Sequence, residues 1–322
     1  MPLTKIAFAP GIDKQDTEYG AAGRWVDSDF VRFRYGLPEK IGGWIKLITN
    51  TLVGVARDMH AWTDLNGVRY TAIGTDRKLY IYTEGVAYDI TPTRATGSIT
   101  GFTTTNNSPT VTVTDPSHGA EVGDFVTISS TSGAVNGIPA ATMDAEYEIL
   151  TVPTGNTYTI TAAANATSTG ASAATATATY QISVGTAVSQ YGYGWGTWQW
   201  GKEAWGTARS TSNVTIEGRN WSFDNFGEDL LATVNNGGTF RWDTSVGVGT
   251  PAAIVTAAPS VSRFNLVSMP DRHVFLFGTE TTIGSSTSKD DLFLRFSSQE
   301  DFNTWTPTAT NTAGSFRIQD GS

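Results

Sequence analysis

The chain has 322 residues, no cysteine and three histidines. The missing cysteine excludes disulfide frameworks, thiolate metal sites and cysteine nucleophiles together, and it fits assembly in a reducing cytoplasm. His60, His118 and His273 are far apart and lack the i, i+4 spacing of a helical zinc pair, so they read as isolated structural or surface residues. Long apolar runs are absent as well. Ile6-Ala7-Phe8-Ala9 is cut short by Pro10, which leaves neither a signal-peptide core nor a membrane span, and we expect no membrane insertion. No GxSxG or P-loop pattern occurs, and Gly192-x-Gly194-x-Gly196 sits in an aromatic tract rather than at a strand-to-helix junction. The expectation is a chain with no catalytic centre, no cofactor and no metal.

Charge is sparse and unevenly placed. The net charge is −9, and residues 96 to 180 hold six acids and no Lys or Arg, whereas residues 1 to 95 hold 12 basic and 11 acidic groups. Without a long basic run the chain is no grip for duplex DNA, since neutralising phosphates requires clustered Lys and Arg. Leucine is scarce, while Gly, Thr, Ser, Ala and aromatic residues are abundant, a mixture suited to many short strands joined by glycine turns. We find no long helical periodicity and expect an all-β protein.

Within PGIDKQDTEYGAAGRWVDSDFVRFRYGLPEKIGGW, residues 10 to 44, Val31, Phe33 and Tyr35 alternate with Arg32 and Arg34, placing rings on one strand face and guanidinium groups on the other. Leu37-Pro38-Glu39-Lys40 is expected to turn the chain, and Gly42-Gly43 to allow close backbone approach. An ordinary edge hairpin with a solvated arginine face is the plain alternative to an assembly surface.

The zero-basic stretch from Thr96 to Tyr180 reads as an inserted module, a small barrel or sandwich with strands at Thr110–Thr114, Phe125–Ser129, Tyr147–Val152 and Thr157–Thr161. The Ala/Thr/Ser run from Ala162 to Ala178 reads as a linker or an irregular return strand. Outside it, a loose repeat of a small-residue strand, a turn and an aromatic strand occurs three times: from Tyr70, from Asp229, and from His273 to Pro307. Leu79 and Ile81 against Tyr80 and Tyr82 make both strand faces apolar, as sheets packed between neighbours require. Radially stacked propeller blades meet that need, and the length outside the insertion supplies about four at most. The expected organisation is an arm and first hairpin over 1–50, a partial β-propeller over 51–95 and 181–322, and the insertion over 96–180. Ser315–Gln319 followed by Asp320-Gly321 reads as the first half of a hairpin, hence a piece of a longer protein.

Few residues invite chemistry. Glu228/Asp229 and Asp290/Asp291 could serve a glycosidase, but strand neighbours point to opposite faces, which makes them poor pairs. The tract with Tyr191, Tyr193, Trp195, Trp198, Trp200 and Trp205 suits packing or a subunit interface, and secondly glycan contact. Without Lys or Arg clusters, base stacking is disfavoured. Arg32, Arg34, Trp195, Trp198, Trp200 and Trp205 are the candidate interface residues.

The block over residues 10 to 44 resembles the opening of tail-tube and packaged-DNA-stabilisation ("nozzle") proteins of short-tailed bacteriophages. GWGTWQWGKEAWGTARS, WSFDNFGEDLLATVNNGGTFRWD, PDRHVFLFG and SSQEDFNTWTPTATNTAGSFRIQDGS resemble successive pieces of the same family. HGAEVGDFVTISS, NGIPAATMDAEYEILTV and NTYTIT resemble the FCCH-type barrel named after ubiquitin-activating enzyme, without its ubiquitin chemistry. The nozzle resemblance implies a virion tail protein, assembled in the host cytoplasm into a homo-oligomeric ring, a hexamer, below the head-to-tail connector. It also implies adaptor or portal neighbours, tail fibres as further partners, and genomic DNA passing without tight binding. Rival readings are a glycan-binding receptor-recognition protein using residues 191–205 and a propeller glycosidase.

Overall fold

The structure is a computed structural model that describes residues 8–43, 45–48, 50–185, 218 and 220–319. The chain divides into two compact units, Met1–Leu47 and Ile48–Ser322.

The first unit carries one hairpin, β1 (Val31–Arg34) and β2 (Leu37–Lys40), paired so that Arg32 faces Glu39 and Phe33 faces Pro38. Leu37–Lys40 is therefore a strand and not the expected turn. The chain reverses at Tyr35-Gly36, where both residues have positive φ (50° and 80°). That is the geometry of a tight hairpin turn, and Gly36 adopts it without a Cβ penalty. The expected close approach at Gly42 and Gly43 is absent, since a Cβ on either would meet open space. Among the described residues of this unit, Ala21 is the one buried apolar side chain.

The described residues of the second unit are all-β apart from a few short helical turns such as Ala140–Met143. Blade one is the four-stranded meander β3 (Ala56–Thr63), β4 (Arg69–Thr75), β5 (Leu79–Thr83) and β6 (Val86–Asp89). The chain then enters the insertion: β7 (Thr93–Ile99), β8 (Gly101–Thr104), β9 (Thr110–Thr114), β10 (Phe125–Ser129), β11 (Glu146–Glu148), β12 (Thr151–Thr154), β13 (Thr157–Thr161), β14 (Gly170–Ser172) and β15 (Ala176–Gln181). Blade two is β16 (Trp221–Phe226), β17 (Asp229–Val234), β18 (Thr239–Trp242) and β19 (Ala253–Ile254). Blade three is β20 (Phe264–Val267), β21 (Val274–Phe277), β22 (Phe293–Phe296) and β23 (Gly314–Arg317). The expected terminal strand is thus β23, already paired with β22.

The blades stack through their first strands, with β16 lying against β3 on one side and β20 on the other. Between blades one and two, Ala72, Leu79 and Ile81 pack with Trp221, Leu230, Ala232 and Trp242. Between blades two and three, Leu231 packs with Val267, Val274, Leu276 and Trp305. Gly74 lets the first interface close, because a Cβ there would overlap the rings of Trp221 and Phe223. Polar bonds cross the same seams: Trp221 Nε1 donates to the Thr75 carbonyl at 2.9 Å, and Val267 N–H donates to Asp224 at 2.6 Å.

The insertion is a two-sheet sandwich, β11-β10-β15-β7 over β12-β13-β9-β8-β14, with short corners carrying β7 into β8, β11 into β12 and β14 into β15. Its core, from Ile99 and Phe102 to Tyr158 and Tyr180, is made wholly of its own residues. The expected single strand over Tyr147–Val152 is broken at Ile149-Leu150, where the chain crosses between sheets.

Candidate functional site

The sequence-derived candidates divide into those on the arm hairpin and those on the tryptophan tract. Arg32 and Arg34 are exposed on the same side of the hairpin, as alternation requires, while Val31 and Phe33 are half-buried. Arg32 Nε bonds Glu39 at 3.1 Å, and the Arg34 guanidinium lies 5.5 Å from the centroid of the Tyr35 ring. Tyr35 is almost fully exposed beside them, and Leu37 is largely exposed. Tyr191, Tyr193, Trp195, Trp198, Trp200 and Trp205 lie outside the described residues.

The histidines hold local structure. His60 pairs with Asn225 across the first blade seam. His118 accepts from Ala120 N–H at 3.0 Å and lies against Tyr158 and Tyr180. His273 Nδ1 lies 2.8 Å from the Ser297 carbonyl. Among the described residues, no group of three or more His, Asp or Glu is arranged to hold a metal ion.

A concave site forms at the rims of the blades. The hairpin tips of all three blades surround a cavity of about 760 Å³ lined by Leu65, Glu228, Asp229, Arg241, Arg272 and Phe302, among others. Glu228 lies in the turn before β17 rather than within the strand, so strand alternation does not separate it from Asp229, and both line the cavity. Each is engaged, however. Asp229 takes the Arg241 guanidinium at 2.5 Å and also bonds Thr244 N–H at 3.2 Å. Glu228 accepts Leu65 N–H at 2.6 Å, and its carbonyl accepts Trp62 Nε1 at 3.0 Å. The Arg241 guanidinium also caps the Phe302 ring at 4.8 Å. These contacts tie the blade rims together. The other pair, Asp290 and Asp291, is held below the usual carboxylate range: Asp290 by its bond to Arg317, and Asp291 first by its bond to Lys289. A glycosidase acid needs the opposite shift.

Sequence reasoning missed the cluster that seats the insertion. Lys78, only 2% exposed, bonds Asp89 of its own blade at 2.7 Å and Glu146 of the insertion at 2.6 Å, and its ammonium sits 4.4 Å from the Phe125 ring centroid. Arg77 pairs with Glu148, and Gln181 bonds Glu146 at 2.8 Å. Burial lowers the Lys78 pKa, but the bonds and charges of Asp89 and Glu146 outweigh it, so the net shift is upward. The sequence carries only a partial signal for it, the adjacent cations Arg77-Lys78 ahead of a stretch with no Lys or Arg of its own; the partners Glu146 and Phe125 are too distant in sequence to be assigned.

No family model matches the sequence, and no curated protein matches it. Among solved structures, the chain is similar to the phage phi92 endosialidase, with 17% identity and a TM-score of 0.22 over 82% of this chain and 36% of that one. The chain therefore spans about a third of that structure's length. Among the described residues, no helix is long and apolar enough to cross a membrane.

Proposed function

We propose that the chain is a structural component of a bacteriophage tail, a nozzle-type protein that forms a ring below the head-to-tail connector. Its work is mechanical: it continues the DNA channel, retains packaged DNA and permits ejection, without catalytic turnover. The observation that carries this reading is the series of three stacked four-stranded blades, in the stretches whose wording resembles nozzle proteins, following an arm that has almost no buried core of its own. A two-stranded hairpin is marginal in isolation, so the exposed Tyr35, Leu37, Ile45 and Leu47 on this arm suit docking in an assembly. The acidic balance suits a conduit, since carboxylates repel phosphate and keep a passing duplex from adhering.

The test is negative-stain microscopy of the purified chain together with antibody labelling of intact particles. Six-fold rings and label at the tail below the connector are expected. Label on the capsid or on distal fibres, with no ring in any preparation, would overturn the reading.

A further inference from the structure

The arm hairpin has one closed edge and one open edge, and its register tells which is which. In a hairpin with a two-residue turn, the flanking pair, here Arg34 and Leu37, exchanges both backbone bonds, and non-bonded and bonded pairs then alternate along the ladder. Phe33 with Pro38 and Val31 with Lys40 are therefore non-bonded pairs, and Arg32 with Glu39 is a bonded one. The 2.8 Å bond from Ile41 N–H to the Phe30 carbonyl falls where this alternation requires it. Val31 and Phe33 thus turn their N–H and C=O groups away from β2, while Pro38 and Lys40 turn theirs away from β1. Pro38 has no N–H, which closes the β2 edge to a further strand. On the β1 edge Val31 and Phe33 each present a donor and an acceptor, and among the described residues β1 pairs with β2 alone.

Charge is arranged along the same edge. Arg32, Arg34, Leu37 and Glu39 share one face of the hairpin, with both cations on β1, the open strand, and the carboxylate on β2. Arg32 bonds Glu39 at 3.1 Å, yet the two side chains remain 57% and 46% exposed. Arg34 lies against the Tyr35 ring and faces Leu37 across the ladder rather than an acid. The opposite face carries Val31, Phe33 and Pro38. A strand added at β1 meets guanidinium groups on one face and apolar side chains on the other, in alternation.

We propose that the β1 edge takes up an extended segment of a partner polypeptide, antiparallel to β1, in which carboxylates alternate with apolar residues. Backbone bonds to Val31 and Phe33 hold the segment as a third strand, which also strengthens a sheet that is marginal with two. Carboxylates opposite Arg32 and Arg34 fix its register, because opposite charges directly across a strand pair attract and like charges repel. A guanidinium has five N–H donors, so Arg32 engages Glu39 and an incoming carboxylate together. The segment is not β1 of a second copy, since matching the faces of two such strands sets arginine against arginine. This inference names the partner chemistry of the arm and rests on the tail reading only for the arm's role in assembly. Its test needs no particle, so its failure is distinct from a failure of the ring and labelling experiment.

The probe is a fluorescein-labelled peptide, Val-Glu-Val-Glu-Val-Glu-Val, titrated with the full chain at low salt, where exposed charges are least screened, and read by fluorescence anisotropy. Saturable binding is expected, at least tenfold tighter than for Val-Lys-Val-Lys-Val-Lys-Val. Arg32→Glu with Arg34→Glu should invert that preference while leaving circular dichroism unchanged. Strand addition is tested separately from charge and without altering the protein. In the matched register the valine N–H groups point at β1 and the glutamate N–H groups point away. N-methylation of the inner valines should therefore weaken binding at least tenfold, and N-methylation of the glutamates should not. Absence of saturable binding, equal affinity for the acidic and basic peptides, a preference that survives the charge reversal, or equal loss from the two methylation patterns would each overturn the proposal and leave the hairpin an ordinary edge with a solvated arginine face.

Discussion

Leu230 and Leu231 are chain neighbours, both fully buried, yet they belong to different cores: Leu230 to the seam between blades one and two, Leu231 to the seam between blades two and three. Strand alternation makes β17 the shared wall of two sheet-on-sheet contacts. Truncation to Ala should cost about 2–5 kcal/mol at either site, as for other large-to-small core changes. The consequences should differ in place. Leu231→Ala is expected to speed amide exchange first in β20 to β22, and Leu230→Ala first in β4 and β5. Identical exchange maps for the two variants would show that the seams are not separate units.

That arrangement also explains what was legible in the sequence. The three repeats seen in the sequence correspond to the middle strands of each blade, such as β5, β17 and β21, which are apolar on both faces; in β5 and β17 both faces are also covered. The first strands were missed. β3 alternates exposed Arg57, Met59 and Ala61 with half-buried Asp58, His60 and Trp62, a mixed pattern that carries little strand signal. β15 was read only as a linker or irregular return strand because its buried positions are Ala176, Ala178 and Tyr180, and alanine has low β propensity. The Lys78 cluster was illegible for another reason. Its partners, Glu146 and Phe125, are distant in sequence and meet only when the insertion folds back on blade one.

The insertion should behave as a separately folding body latched by charge. Its core draws on no blade residue, so an excised fragment of residues 93–181 should be folded and soluble, and deletion of residues 96–180 with a short Gly/Ser linker should leave a soluble remainder. Glu146→Lys with Glu148→Lys sets like charges against Lys78 and Arg77. Circular dichroism should be unchanged while small-angle scattering shows a larger radius of gyration. An unfolded excised fragment, or an unchanged radius, would contradict the latch.

Alkaline stability follows from the buried tyrosines. Burial is the main cause that raises the Tyr158 and Tyr180 phenols; for Tyr180 the 2.5 Å bond to Asp115 adds to it. In the unfolded chain these phenols ionise near pH 10. Above that pH the unfolded state holds fewer protons than the folded one, so stability falls as pH rises. Lys78, also shifted upward, contributes fully below its unfolded value near 10.4 and loses that contribution at higher pH. Phenolate absorbance from the buried pair should therefore appear together with loss of strand signal. Tyr180→Phe removes the donor to buried Asp115 and should cost about 1–3 kcal/mol at neutral pH, while making the alkaline decline shallower. Ionisation of these tyrosines in the intact fold would refute the account.

Arg32 and Arg34 offer a test of the assembly reading. Ion pairs between exposed side chains such as Arg32 and Glu39 contribute about 0–1 kcal/mol, so reversing both arginines to Glu should leave the monomer's circular dichroism and melting temperature nearly unchanged. Incorporation into particles should drop, because planar guanidinium donors at an interface are not replaced by carboxylates. Wild-type incorporation of the double variant would return this face to ordinary solvated surface.

Duplex DNA provides the most exposed test. A conduit must let DNA slide, and every neutralised phosphate adds a salt-dependent hold that opposes ejection. With 21 basic against 30 acidic residues, the chain has few contacts to offer. Several of its cations are already committed, Lys78 to Asp89 and Glu146, and Arg241 to Asp229 and Asp243. At about 0.15 M salt the screening length is about 8 Å, so only close local contacts survive. Mobility-shift titration under that condition should show binding no tighter than the ~100 µM to 1 µM range of non-specific association, weakening steeply as salt is added. Submicromolar, salt-resistant binding would require a basic groove built from the assembled copies, and the smooth-channel reading would then be wrong.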